Sequence, residues 1–168
     1  YEEGPVDYEA APGSLHYDPE YNSDYLKRNY GTTNSVMLQR VFDNRDNIFN
    51  ATEGRRLSVS GEYAGLGGDF SFKNYNTELR TYRKVGRDHV LASRGMAGWA
   101  NGELPDSQRF SLGGADTLRG YLDDQFKGNK MWATTVEYRF PVAKKVYGVV
   151  FGDAGRAWSG IGGDNTWK

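Results

Sequence analysis

The stretch Ser111-Leu112-Gly113-Gly114-Ala115-Asp116-Thr117-Leu118-Arg119-Gly120-Tyr121 decides how this chain is read. Paired glycines open it, and a third glycine follows its one arginine. Glycine adopts backbone conformations closed to other residues, so the stretch reads as a sharply turned, tightly packed loop. Further along, Trp132 to Phe140 alternates apolar and polar residues, as a strand does, and carries one glutamate, Glu137. Beyond it, Phe151-Gly152-Asp153-Ala154-Gly155 carries one aspartate.

Working outward, these three charges belong together. An isolated arginine in a turn is ordinarily a solvated one. Here each acid is flanked by apolar or glycine residues: Val136 and Tyr138 beside Glu137, Gly152 and Ala154 beside Asp153. A desolvated acid needs a partner, because an unpaired buried charge is strongly unfavourable. A planar guanidinium can satisfy a carboxylate with two parallel bonds, which an ammonium cannot. The spacing therefore predicts that Arg119 meets Glu137, Asp153 or both. Glu137 shares its parity with Ala133, Thr135 and Arg139, opposite the apolar row Trp132, Val136, Tyr138 and Phe140. Asp153 shares parity with Val149 and Phe151, so from the residues alone its placement on the polar side calls for a bulge at Gly152.

Other chemistries fit less well. Gly113 and Gly114 could cradle a phosphate, but no apolar helix follows them. Asp43, Asp46 and Asp88 lack the spacing of a calcium loop, and His16 and His89 are too far apart to suggest a metal site. Glu137 and Asp153 could form a glycosidase pair, but an arginine between them would hold both ionised and leave no general acid. No Ser-His or Cys-His arrangement is visible. The expectation is a protein that is not an enzyme and uses no cofactor or metal.

Composition sets the class. Gly 22, Tyr 12, Phe 8 and Trp 4 against Pro 5 favour many strands and turns. A mean hydropathy of −0.75 would suit a soluble chain. It equally suits a transmembrane β-barrel, in which half of every strand faces a polar lumen. A net charge of −1 argues against a nucleic-acid binder. With no cysteine, disulfide frameworks and thiolate metal sites are excluded. No apolar run is long enough for a membrane-spanning helix.

Residues 1–34 are acidic, tyrosine-rich and aperiodic, and read as an irregular loop segment, with a short strand or helical turn around 24–29. Residues 35–168 read as about six consecutive antiparallel strands with hairpin links. The cleanest alternation is 55–64, with Leu57, Val59 and Tyr63 on one face and Arg56, Ser58, Ser60 and Glu62 on the other. A hairpin turn, Gly65-Leu66-Gly67-Gly68-Asp69, leads into a strand over 69–84. Its parity slips near Lys73-Asn74, which predicts a bulge there. Further strands are read at 89–100, 130–141 and 146–158, with a long loop holding the signature within 101–129. Strands of about ten residues or more suit a tilted bilayer crossing. Tyr63, Trp99, Trp132, Tyr138, Phe140 and Trp158 fall near strand ends, as an interfacial aromatic girdle requires.

The ordered set of pieces resembles the bacterial surface-antigen barrel family. The set comprises Asp43-Asn44-Arg45-Asp46, Gly54-Arg55-Arg56-Leu57, Gly65-Leu66-Gly67-Gly68-Asp69, the 110–121 stretch, Glu137-Tyr138-Arg139-Phe140-Pro141 and Phe151-Gly152-Asp153-Ala154-Gly155. Each piece alone is weak; their order and spacing from 43 to 158 are specific. The resemblance implies an all-β, antiparallel transmembrane β-barrel of sixteen strands in the bacterial outer membrane, of which this chain supplies about six. It implies that the loop folds back into the lumen, with Gly113, Gly114, Arg119, Gly120 and Tyr121 forming its tip and Arg119 meeting Glu137 and Asp153. The glycine hairpin and the Asp-Asn-Arg-Asp turn resemble the BAM-type insertase branch more than the two-partner secretion branch. That branch implies insertion of other outer-membrane proteins. Its partners would be outer-membrane lipid, unfolded β-barrel clients, and periplasmic assembly lipoproteins or POTRA-type domains. The alternatives are a translocation-module or two-partner secretion transporter of the same family, a passive porin-like barrel, and a soluble β-sandwich. No POTRA-like pattern precedes the strands, and Trp167-Lys168 ends in a loop rather than an aromatic-ended strand. An open sheet exposes two edges, which lipid does not tolerate. The expectation is therefore part of a longer chain, or a sheet completed by other strands.

Overall fold

The structure is a computed structural model that describes residues 27, 29–144 and 146–159. Six long strands form one antiparallel sheet among these residues: β1 (Ser35–Asp43), β2 (Gly54–Ala64), β3 (Phe72–Lys84), β4 (Val90–Gly102), β7 (Lys130–Ala143) and β8 (Val146–Trp158). The sheet order is β1-β2-β3-β4-β7-β8, so every strand lies beside its neighbour in sequence. Two short strands, β5 (Phe110–Leu112) and β6 (Phe126–Gly128), pair with each other within the connection from β4 to β7. The sequence did not announce them, because three-residue strands carry no usable period.

Register divides the residues between two faces. Directly opposed residues point the same way, so Arg56↔Arg80↔Arg94↔Thr135↔Asp153 is one inward row. Val59↔Thr77↔Ala97↔Trp132↔Arg156 is an outward row. Leu57, Val59 and Tyr63 face out, while Arg56, Ser58, Ser60 and Glu62 face in, as the alternation predicted. The six girdle aromatics all lie on outward rows, and Tyr75 stacks on Trp99 with centroids 5.6 Å apart. Two outward threonines are satisfied locally: Thr81 and Ser93 share a hydrogen bond of 2.7 Å, and Thr134 donates to the Arg94 carbonyl.

Three expectations are corrected. No bulge interrupts β3 at Lys73-Asn74: the pairing with β2 and β4 runs unbroken from Phe72 to Tyr82. Phe70 and Phe72 break the outward pattern because they face inward, packed with Ala64, Ala100 and Leu104. No bulge is needed at Gly152 either. The register of β7 with β8 shifts only between Pro141 and Ala143. Val149 and Phe151 share the inward row with Asp153, opposite Arg139 and Glu137. The loop after β4 also begins later than 101, since β4 runs through Gly102. Of the turn expected around 24–29, Lys27 and Asn29 are helical and the rest lies outside the described residues, as do residues 1–26 of the loop segment expected over 1–34 and the loop expected at Trp167-Lys168.

The connection from β4 to β7 forms a second layer over the inward face. Leu112 and Leu118 are buried against Met131 and Ala133, flanked by Met96, Phe110, Phe126 and Ala157. Gly98 makes room for this layer: a Cβ there would collide with the Phe110 ring. Burying two leucines contributes about 1.5–3 kcal/mol each. The hydrophobic core therefore lies between sheet and loop, and it sets the loop's depth before any charge is considered.

Candidate functional site: an arginine-fastened loop

The tip of the loop is built on glycine geometry. Gly113, Gly114 and Gly120 have φ of 128°, 81° and 95°. A side chain at Gly113 would run into the Leu122 carbonyl, and one at Gly114 into the Asp123 carboxylate. Thr117 closes the turn from inside. Its hydroxyl accepts from the Gly113 N–H and donates to the Gly113 carbonyl, both at 2.8 Å. The Gly114 N–H donates to the Tyr121 carbonyl at 3.1 Å. Tyr121 itself packs edge-on against Phe126, with ring centroids 5.2 Å apart.

This frame delivers Arg119 to the sheet. Nε and Nη2 donate to the two oxygens of Asp153, each at 2.8 Å, and the Arg119 backbone N–H adds a bond of 3.2 Å to Oδ2. Nη1 donates to Glu137 Oε1 at 2.9 Å. Below the guanidinium lies the Phe151 ring, whose centroid is 3.4 Å from Cζ. One planar cation thus spans two neighbouring strands, forked on Asp153 and stacked on Phe151. Asp153 is the enclosed member, with a side chain 5% exposed against 25% for Arg119. Glu137 has a second partner: Arg139 holds its other oxygen through Nε and Nη2 at 3.1 and 2.8 Å. All the residues the sequence singled out, Gly113, Gly114, Arg119, Gly120, Tyr121, Glu137 and Asp153, thus come together in or under one loop.

Three contributors escaped the sequence reading. Glu78 is held by Arg56 at 3.1 Å, by Arg80 at 2.7 Å and by Arg94. Arg94 also donates to the Asp116 carbonyl in the loop. The loop is therefore fastened twice, by Arg119 from its own side and by Arg94 from the wall. The sequence signal for Arg94 is a lone charge opposite the Leu91 and Trp99 parity, and that for Glu78 an acid opposite the Tyr75, Thr77 and Leu79 parity. Phe151 looked like a lipid-facing residue because its row otherwise reads as apolar. Between the two fastenings lies a polar cavity of about 190 Å³. No group of three His, Cys, Asp or Glu among the described residues could hold a metal. His89 is engaged by the Tyr138 hydroxyl at 2.8 Å.

At the opposite end of the sheet, the turn between β1 and β2 is tied by Asp46. Its carboxylate accepts from the Thr52 hydroxyl, the Thr52 N–H at 2.9 Å and the Glu53 N–H at 3.1 Å. The Thr52 hydroxyl, then these N–H groups, hold the Asp46 carboxyl well below its usual range.

A sheet with an apolar, aromatic-girdled outer face and a polar inner face covered by its own loop defines the wall of an outer-membrane β-barrel. The Omp85 superfamily domain matches residues 6–168. The chain belongs to that superfamily, and its place is the outer membrane of Gram-negative bacteria. It is 28% identical over 113 residues to a protein of Nitratidesulfovibrio vulgaris named outer membrane protein assembly factor BamA, covering 57% of this chain and 14% of that relative. Its fold matches the crystal structure of Haemophilus ducreyi BamA lacking POTRA domains 1–3. There the TM-score is 0.70 at 22% identity, over 74% of this chain and 30% of the other. The chain thus spans less than a third of the length of these relatives.

Proposed function

We propose that this chain is the loop-bearing section of the wall of an outer-membrane protein assembly factor of the insertase type. The observation that carries the proposal is the loop fastened across β7 and β8 by Arg119, in a chain similar to a protein named as such a factor. The role is mechanical and needs no enzyme chemistry or cofactor. A barrel that admits client strands through a weak seam needs the rest of its wall rigid, because main-chain pairing at the seam must be its weakest link. The two arginine fastenings and the buried leucines make this section rigid. Its partners in this reading are outer-membrane lipid, unfolded β-barrel clients, and POTRA-type domains or periplasmic assembly lipoproteins.

The test is Arg119→Ala in the complete protein, in cells carrying only the variant. Porin levels in the outer membrane should fall, and the barrel should lose its compact migration on unheated gels. Normal porin levels with a normally migrating barrel would refute the role. A passive barrel would instead change its conductance and leave other outer-membrane proteins untouched.

A further inference from the structure

Charge along one inward row does not balance. Arg56↔Arg80↔Arg94 places three arginines directly opposite one another on β2, β3 and β4. Like charges so placed, with Cβ atoms roughly 4.5–5.5 Å apart, destabilise a sheet. One acid answers all three: Glu78 takes Arg80 and Arg94 on Oε1 and Arg56 on Oε2. The neighbouring group offers no relief, since Arg119 and Arg139 are already matched by Glu137 and Asp153. Asp43 is forked by Arg45 and stands 4.0 Å from Arg56. Asp116, exposed on the loop, meets Arg94 through its backbone carbonyl. Granting the Asp116 carboxylate to the row as well still leaves one cation over.

The unused donors of the row belong to residues that line one cavity. A guanidinium carries five N–H groups. Arg80 spends only Nε, on Glu78; its Nη1 and Nη2, and Nη2 of Arg94, have no acceptor among the described residues. Both residues line the polar cavity of about 190 Å³ between the two fastenings. Water there satisfies N–H groups but not the net charge. A cation held away from bulk solvent attracts an anion more strongly than one in water. Two facing guanidinium forks match an oxyanion with several equivalent oxygens better than they match a single acceptor atom.

We propose that this cavity is a binding site for a small tetrahedral oxyanion of the phosphate class, held by Arg80 and Arg94. Arg80 supplies its open Nη1–Nη2 edge and Arg94 its Nη2, so the anion and Glu78 together offset the repulsion along the row. The ligand is a free ion rather than a lipid headgroup, because the bilayer lies against the other face of the sheet. The site does not depend on the assembly role.

The test is equilibrium dialysis of the complete protein, folded in a non-ionic maltoside detergent, against labelled inorganic phosphate at constant ionic strength in sodium chloride. Wild-type protein should bind phosphate saturably, one ion to a barrel. Arg80→Gln should weaken that binding by about tenfold or more, as loss of one charge-assisted fork implies. Without phosphate this variant should be at least as stable as wild type, since Glu78 keeps Arg56 and Arg94 and a repulsion is gone. Phosphate should raise the unfolding temperature of wild type and not of Arg80→Gln. Arg80→Lys, which keeps the charge without the fork, should bind with intermediate affinity. Arg83→Gln removes a cation from an outward row of the same strand and should leave the affinity unchanged. Absence of saturable binding by wild type, or undiminished binding in the two Arg80 variants, would overturn the site. So would an equal loss in Arg83→Gln, which would reduce the effect to net charge.

Discussion

Asp153, more than Glu137, is the counter-ion on which Arg119 depends. It takes three of the four Arg119 hydrogen bonds and is the more enclosed acid. Glu137 keeps Arg139 when Arg119 is lost; among the described residues Asp153 pairs with no second guanidinium. Arg119→Ala should therefore destabilise the folded barrel by about 2–3 kcal/mol, below the range for fully buried pairs because the site is partly exposed. Asp153→Asn should cost more than Glu137→Gln. Arg119→Lys should recover only part of the loss, since an ammonium cannot fork to both acids. Combining Arg119→Ala with Asp153→Asn should be milder than the sum of the two. Denaturant unfolding of the refolded variants measures all of these, and an Asp153→Asn barrel as stable as Glu137→Gln would contradict the ranking. Of this site, the sequence disclosed the arginine and both acids, because charge between glycines and apolar residues is conspicuous. It concealed Phe151 and the real orientation of β8, because an inward row carrying Val149 and Phe151 looks like a lipid-facing one.

At the level of elements, the loop's shape and its charges can be separated. Gly114→Ala removes no charge, yet it forces a side chain onto the Asp123 carboxylate at positive φ. It should release the loop as effectively as Arg119→Ala. Gly120→Ala meets nothing within 4 Å and should cost only the backbone term at positive φ, about 1–3 kcal/mol. Protease cleavage within 113–125 of the folded protein compares the two, and equal cleavage would show that glycine geometry is not limiting. Arg94→Ala tests the second fastening: it should raise cleavage there while leaving the Arg119 pairings in place. The turn between β1 and β2 responds to acid. With the Asp46 carboxyl lowered by its Thr52 and Glu53 partners, its contribution is complete above the ordinary carboxyl value of 3.8 and is lost only as pH falls further. The Thr52 and Glu53 amide resonances should hold still from neutral pH down to that value and move below it. A midpoint at or above that value would contradict the bonding described. Here the sequence was most legible where alternation was undisturbed, in β2 and β7. It misled in β3, where Phe72 faces in to pack under the loop, so a core contact imitated a bulge.

Across the whole molecule, β1 and β8 each present an unpaired edge among the described residues. Outward residues on these edges, such as Leu38 and Val150, are among the most exposed apolar groups, at 77% and 63%. The described sheet alone should therefore fail to enter vesicles as a heat-modifiable monomer, and should do so only with strands that pair both edges. Stable insertion of residues 35–159 alone would contradict this. That incompleteness was legible from the number of strands, and the loop's return over the inner face from the resemblance, whereas the paired β5 and β6 within the loop were not, since three-residue strands leave no period.

The fastening also has an order in time. Arg119 precedes Asp153 by 34 residues, and its fork cannot close until β8 lies against β7. A chain laying down its strands in sequence holds the loop loosely while β7 pairs, then seals it only when the next strand arrives. With that order of assembly, closure of the fork on Asp153 would report that the wall has grown past the loop in the correct register. A one-residue slip of β8 would turn Asp153 outward and leave the seal open.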